Sequence, residues 1–463
     1  MRRKKNAETL NDKHQSTTPL KPELLAPAGD FEKLRFALQY GADAVYFGGE
    51  QFSLRSAAGN FTIPEITDGV KYCRERGRKA YLTVNIYPHD DDIDRLTVFF
   101  HSLCKHAAEN PDATGLPSLP DAVIVSDPGV LALMKEIIPG LGESKGGPEI
   151  HLSTQANVTS IPAAEFWYGQ GVRRLILARE LSLTEIAKIH DAIPEDMQLE
   201  AFVHGAVCMA YSGRCLLSNY FNGRDSNRGD CSQPCRWNYV IEEAKRPGEY
   251  IPIEEDERGT YLLSANDLCM IEHIDDLIKA GVTSFKIEGR MKSAYYVATV
   301  TRAYRWAIDA SPAYDPIHLA ELSKASHRAF STGFFYGVPG SDHTEEVTIA
   351  PDKNTHGVEY IRSYEFLGVV MSYDSASKLA YIEQKNKFSA GDRIELFGPA
   401  PEYTEMTVAE LYDENMQPIE SAPHAGQTVY LKTDVPVYPG DMIRKKHVDH
   451  ISINGQNEPE TYV

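Results

Sequence analysis

Apolar and polar positions alternate along this chain in blocks. From Glu23 onward, a short apolar run is followed by an amphipathic stretch, then by another apolar run, and the rhythm continues to about residue 290. Short apolar runs bounded by turn residues read as buried strands. The stretches between them, such as FEKLRFALQYG and IPEITDGVKYCRERG, carry the period of helices. Eight runs qualify: Glu23 to Ala26, Ala44 to Phe47, Ala80 to Asn85, Ala122 to Ser126, Ile150 to Thr154, Arg174 to Ala178, Leu199 to His204 and Ser284 to Glu288. Strands alternating with helices imply parallel pairing, and eight of them predict an α/β fold of the closed, TIM-like (β/α)8 barrel type rather than an open sheet.

Such a barrel places its chemistry at the carboxyl ends of the strands. Those ends are polar here: Asn85, Ser126 with Asp127, Ser153 with Gln155, Arg179 with Glu180, His204, and Glu288 with Arg290. Side chains alternate along a strand, so Lys286 and Glu288 are expected to point inward while Phe285 and Ile287 face the helices. The connection from the seventh strand to the eighth runs from Gly205 to Thr283, far longer than the others. Loops of that length in a compact domain are functional or disordered, and the Tyr, Phe, Trp and Cys content of this one favours function. After Arg290, SAYYVATVTRAYRWAIDA reads as the closing helix and HLAELSKASHR as one more.

Beyond about Thr355 the pattern changes to short alternating segments, YEFLGVVMSY, LAYIEQK, RIELFGP, TVAELYD, TVYLKTD and MIRKK, which predict a small all-β barrel. The expected organisation is a disordered basic tail over 1–21, a barrel domain over 22–345 with a cysteine-rich insertion at about 205–283, and a β-domain over 355–450.

Charge narrows the function. The chain has 47 basic and 66 acidic residues, a formal charge of −19, which argues against a DNA-coating protein. Arg214, Arg224, Arg228 and Arg236 nevertheless cluster in the cysteine segment. No apolar run approaches the roughly 20 residues of a membrane span, and the first residues lack the apolar stretch of a secretory signal. A cytoplasmic protein without a membrane partner is expected. In such a chain, clustered cysteines bind metal or do chemistry more often than they form disulfides.

Four of the seven cysteines, Cys208, Cys215, Cys231 and Cys235, fall between Gly205 and Tyr239. Zinc sites favour ligand pairs separated by two to four residues, and only Cys231 with Cys235 obeys that. Iron–sulfur clusters also take four thiolates and tolerate irregular spacing, and the nearby glycines let backbone approach a cluster. A thiol nucleophile at Cys208 with His204 as base is a third reading. Cys73 and Cys104 sit in helical stretches as packing residues, whereas Cys269 is either a fifth thiol near the cluster or core. The chain has no His-Glu-x-x-His helix and no phosphate-binding Gly-x-x-x-x-Gly-Lys loop.

Glu200-x-Phe202-x-x-Gly205-Ala206-x-Cys208, followed by Gly213-x-Cys215-x-x-Ser218, resembles the signature of the collagenase-like peptidase family of unclassified catalytic type, family U32. The opening ELLAPAGDFEKLRFALQYGADAVYFGG and the later SFKIEGRMKSAYYVATVTRAYR are similar to the same family, so the resemblance spans nearly all of the chain after the tail. Taken with Cys231-Ser-Gln-Pro-Cys235-Arg-Trp and the terminal β-domain, it implies a tRNA modification enzyme despite the family's name. The implied activity is oxygen-independent hydroxylation of the wobble uridine to 5-hydroxyuridine, with a four-iron four-sulfur (4Fe-4S) cluster and with prephenate as co-substrate. The implied cluster ligands are Cys208, Cys215, Cys231 and Cys235, with Cys269 as an alternative fourth. The implied partners are the tRNA anticodon loop, a small anionic metabolite, and a protein that delivers electrons or iron and sulfur.

On that reading the catalytic residues expected at the mouth are Glu288, Arg290, Arg179 and His204. An arginine fork suits carboxylates and phosphates, and Glu288 or His204 would manage protons. Tyr211, Tyr220, Phe221 and Trp237 would either stack on an unpaired base or pack around the cluster. Two rival expectations remain: a peptidase or collagenase using Cys208 or a metal, and a non-enzymatic RNA- or protein-binding factor.

Overall fold

Eight parallel strands close on themselves in the computed structural model, which describes residues 21–50, 52, 59–143, 146–208, 210–236, 240–242, 250–252, 266–337 and 360–447. They are β1 (Glu23–Pro27), β2 (Ala44–Gly48), β3 (Lys79–Val84), β4 (Ala122–Val125), β5 (Glu149–Leu152), β6 (Val172–Ile176), β7 (Gln198–Ala206) and β8 (Ser284–Ile287). Each pairs with the next, and β8 pairs with both β7 and β1, which closes the ring. All eight predicted strands are present. Their residues are buried on both faces, as a barrel wrapped in helices requires.

Helices α1 (Phe31–Gln39), α2 (Ile63–Arg74), α3 (Asp90–Glu109), α4 (Pro128–Ile137), α5 (Ile161–Gly169) and α6 (Leu183–Ala192) each follow a strand. Their starts are written locally. Thr62 and Glu65 form a reciprocal capping box on α2, as Ser182 and Glu185 do on α6. Asp127, one of the polar strand-end residues, is spent on the same task, accepting from Val130 N at 2.9 Å to cap α4.

After β7 the chain enters the insertion, with the short helix α7 (Leu217–Asn222). It returns through the short strand Asp267–Cys269, which runs antiparallel to the end of β7, and then α8 (Ile274–Lys279). The closing helices are α9 (Ala294–Ala310) and α10 (Pro316–Leu322).

The C-terminal domain is a curled antiparallel sheet, a half-barrel, with a separate two-stranded pairing of Phe388–Ser389 and Ser421–Ala422. Its main strands are β9 (Tyr364–Asp374), β10 (Leu379–Gln384), β11 (Arg393–Phe397), β12 (Tyr403–Thr407), β13 (Thr428–Lys432) and β14 (Met442–Lys446). The alternation missed β12: its sequence, YTEMT, lies on the sheet edge with every residue at least partly exposed, so it shows no buried face. TVAELYD contributes only the two-residue strand Leu411–Tyr412 and the end of β12.

This domain packs on the helix layer of the barrel through an apolar seam that includes Tyr40, Tyr295, Ala298, Phe397 and Met442. Beside the seam, Arg444 binds Glu321 through two nitrogens at 2.6 and 2.8 Å and Glu395 through Nε at 2.7 Å. The helix layer, not the barrel mouth, carries the second domain.

Candidate active site at the barrel mouth

The carboxyl ends of the strands open into one cavity. Asn85, Ser153, Gln155, Arg179, Lys286, Glu288 and Arg290 line it, and so do Cys208, Cys215, Cys231 and Cys235. No residue of 360–447 does. The parity argument for β8 holds: Lys286 and Glu288 reach the cavity while Phe285 and Ile287 lie in the apolar core.

The floor is built from charges that neutralise each other. Glu200, fully buried on β7, accepts from Lys286 Nζ at 2.8 Å and from Arg174 Nη1 at 3.1 Å. Burial pushes the Glu200 carboxyl up, but Lys286 and Arg174 outweigh it and hold the group below the usual carboxylate range. Burial likewise pulls the Lys286 ammonium down, with Glu200 acting against the shift. The Lys286 nitrogen lies 4.4 Å from the centre of the Tyr46 ring, so its remaining side is also occupied.

Three further groups shape the walls. Arg290 donates to Thr83 Oγ1 at 3.0 Å and Asn60 Oδ1 at 2.7 Å, which fixes its guanidinium at the cavity wall. Arg179 donates from Nη1 to the Ala206 carbonyl at 2.8 Å and stacks over Phe202 at 4.0 Å. Its Nε is buried and finds no partner among the described residues. Glu288 lies beside Tyr46, whose hydroxyl is 3.4 Å from Oε2. Arg179, Lys286 and Arg290 thus line the same cavity as one carboxylate, Glu288, an excess of cations that favours anions.

The cysteine loop is pinned over this mouth. Arg228 grips both oxygens of the buried Asp92 on α3 at 2.8 and 3.0 Å. Asn227 accepts from Tyr87 N at 3.0 Å, and Ser226 and Asn227 side chains both donate to the Cys215 carbonyl. The four cysteines form no disulfide. Gln233 N points at Cys231 Sγ at 3.4 Å, a contact that stabilises negative charge on sulfur. Gly213 and Gly229, beside Cys215 and Cys231, have φ of 72° and 96°, which only glycine adopts without strain. An all-sulfur donor set facing one cavity fits a cluster of iron and sulfide. Among the described residues, no three His, Cys, Asp or Glu side chains are already drawn into a metal-holding set.

Two sequence expectations need correction. His204 does not face the cavity. Lys286 stands beside Phe202 and Ile287 beside His204, so β7 carries one extra residue, Val203, and this bulge reverses the inward–outward alternation. His204 turns instead among Tyr296, Tyr304 and Phe330, with ring centroids 5.6 to 6.0 Å away. His204 is therefore not placed to act as the base of a Cys208 nucleophile. Cys269 is also outside the cavity, opposite His204 in the antiparallel pair, where burial pushes its thiol up to about 12. It belongs to the core.

Burial drives the His204 imidazole down to about 3, so it stays neutral in the folded protein. The unfolded chain takes up that proton first, and stability should decline as pH falls from 6.5 toward 3. His204→Phe is expected to remove this part of the acid sensitivity, seen as a smaller difference between urea denaturation midpoints at pH 7 and pH 5.

Tyr211 lines the cavity and is 59% exposed; Tyr220 and Phe221 are exposed on α7, outside the lining, and Trp237 lies outside the described residues. Asn60 and Glu200 were not among the residues expected at the site, although Glu200 opens the family signature. Asn60, from the loop after β2, carries no signal that would single it out. Glu200 does carry one, since period two places it on the same face as Phe202.

Comparison with known proteins follows the same outline. The peptidase family U32 model matches residues 29–345, and the model of that family's C-terminal domain matches 362–444. The tRNA hydroxylation protein P1 of Bacillus subtilis is 39% identical, over 92% of this chain and 95% of its own. The tRNA hydroxylation protein P of Escherichia coli is 37% identical over 89% and 93%. A protein of Porphyromonas gingivalis named collagenase is 32% identical over 91% and 97%.

Proposed function

The chain belongs to peptidase family U32, and from that premise we propose that it is an RNA hydroxylase that converts the wobble uridine of tRNA to 5-hydroxyuridine. One observation carries the reading: four cysteines outside any disulfide and three anchored cations face a single cavity at the mouth of the barrel. Peptidase chemistry is disfavoured by the same site, because the histidine nearest Cys208 in sequence is turned into the core.

In this proposal Cys208, Cys215, Cys231 and Cys235 hold a four-iron four-sulfur cluster, which supplies one-electron chemistry when bound. Arg179 and Arg290 orient an anionic small metabolite such as prephenate through charge-assisted forks. Lys286 adds positive charge at the floor, and its bond to Glu200 keeps the nitrogen in place. Converting C5–H of the uracil to C5–OH takes one oxygen atom from a bound donor that is reduced by two electrons; Glu288 would accept the C5 proton, and the new oxygen would take up a proton in its place. The roofing loop and the apolar wall around Phe202 and Ile176 limit water.

The test is nucleoside analysis of tRNA from cells with and without the gene. Deletion should remove 5-hydroxyuridine, and the wild-type gene should restore it. Arg179→Gln should restore it poorly, since losing a charge-assisted contact costs on the order of 10- to 100-fold in rate. Unchanged 5-hydroxyuridine after deletion sinks the proposal.

A further inference from the structure

We propose that the rim strip formed by Tyr87, Arg214 and Tyr211 is a stacking platform for the unpaired nucleotides that flank the target base. This rests on the RNA reading above and extends it from the cavity to the surface beside it.

The strip is continuous although its residues come from two loops. Tyr87 follows β3, and its backbone N–H donates to the Asn227 carbonyl of the cysteine loop at 3.0 Å, so the two loops are joined at that point. The Arg214 guanidinium lies 5.2 Å from the centre of the Tyr87 ring. The Arg214 backbone N–H donates to the Tyr211 carbonyl at 3.1 Å, which places the second tyrosine on the same turn. Tyr211 in turn lines the cavity, so the strip begins where the cavity ends.

Exposure decides between packing and binding. Tyr87 is 49% exposed and Tyr211 is 59% exposed, so both present ring surface to solvent instead of filling space around the sulfurs. Arg214 differs from the arginines near it. Arg224 is bonded to Asp230 at 2.8 Å and Arg228 to Asp92, whereas Arg214 makes no side-chain hydrogen bond or ion pair among the described residues. An exposed guanidinium without a carboxylate, seated against an aromatic ring, matches the two faces that an unpaired nucleotide offers, a phosphate and a π-surface. In a chain of net charge −19, phosphate is repelled over most of the surface, and a local cation at the rim gives RNA its landing point. Exposed ring faces beside a cation without a carboxylate are the contacts that unpaired nucleotides use, so single-stranded RNA is the occupant the chemistry favours.

The experiment uses the full chain, purified without oxygen, and a fluorescently labelled anticodon stem-loop RNA followed by anisotropy. Tyr87→Ala and Arg214→Ala should each weaken binding on the order of tenfold. Tyr87→Phe should bind as wild type does, because the ring face is kept. Arg214→Ala should also flatten the dependence of affinity on salt by about one phosphate contact. Tyr438→Ala, at a still more exposed tyrosine on the C-terminal domain, should change nothing. Iron and sulfide content is measured alongside and should match wild type, which separates lost stacking from a disturbed cysteine loop. If wild type binds and the two alanine variants bind equally well, the platform is refuted and the RNA reading stands. If wild type does not bind the stem-loop, the RNA reading fails and the platform with it.

Discussion

Replacing both Cys208 and Cys215 with alanine is expected to yield folded protein that holds no iron and no acid-labile sulfide, with 5-hydroxyuridine formation at background. Folding should survive because neither side chain fills the core: Cys208 is exposed and Cys215 is only partly covered. Removing two of four thiolates, by contrast, leaves too few ligands to close the coordination of a cluster. Wild-type protein purified without oxygen should approach about four iron and four sulfide per chain. Cys269→Ala is the informative partner experiment. Its thiol lies in the core opposite His204, so the variant should keep its iron while losing some stability. Loss of iron in Cys269→Ala would reverse the assignment of the fourth ligand. Wild-type protein that stays iron-free after anaerobic reconstitution would remove the cluster altogether and return attention to Cys208, which would then need a base other than His204.

The second large effect is expected far from the mouth. Arg444→Ala should destabilise the protein by about 3–5 kcal/mol, the usual cost of stripping one partner from a buried ion pair. Arg444 is fully buried and bridges Glu321 on α10 to Glu395 on β11, so its loss leaves two covered carboxylates competing for Lys324 and, at Glu321, Arg302. Chemical denaturation should show the loss, and Arg444→Lys should fall between wild type and alanine because it keeps the charge but not the paired geometry.

The pH dependence gives an independent check. Burial pushes the Glu321 carboxyl up, yet Arg444 and its neighbours hold it net below the usual value of 4.5. A carboxyl depressed in the folded state contributes stability above its unfolded pKa and loses it as pH falls through the folded one. Wild type should therefore weaken below about pH 4.5, while Arg444→Ala, its carboxylates relieved by protonation, should weaken less. The gap between the two proteins should narrow with falling pH. A constant gap would show that Arg444 acts through packing alone.

The parts of this protein that were legible beforehand are those set by short-range rules. The eight strands were visible because burial on both faces demands uninterrupted apolar runs, and α1 and α2 because FEKLRFALQYG and IPEITDGVKYCRERG carry the period of helices. The polar ends of β3, β5, β6 and β8 followed from the same runs, and Asn85, Ser153, Gln155, Arg179, Glu288 and Arg290 do meet in one cavity. Edge strand β12 stayed hidden because an exposed strand has no apolar face to display.

His204 shows where such rules stop. Counting by twos puts it beside Glu200 and Phe202, and a single unpaired residue, Val203, sends it to the opposite face. That bulge arises in the pairing of β7 with β8, two segments separated by the whole insertion, and no local pattern encodes it. The same holds for the Arg228 grip on Asp92, 136 residues away, and for Arg444 on Glu321, 123 residues away. Periodicity is a property of neighbours in the chain, so composition and spacing settled the barrel, its polar mouth and the four thiols. Which side chains share the cavity, and which are turned into the core, is a property of neighbours in space, and it was decided only when the strands paired and the loop was pinned across the mouth.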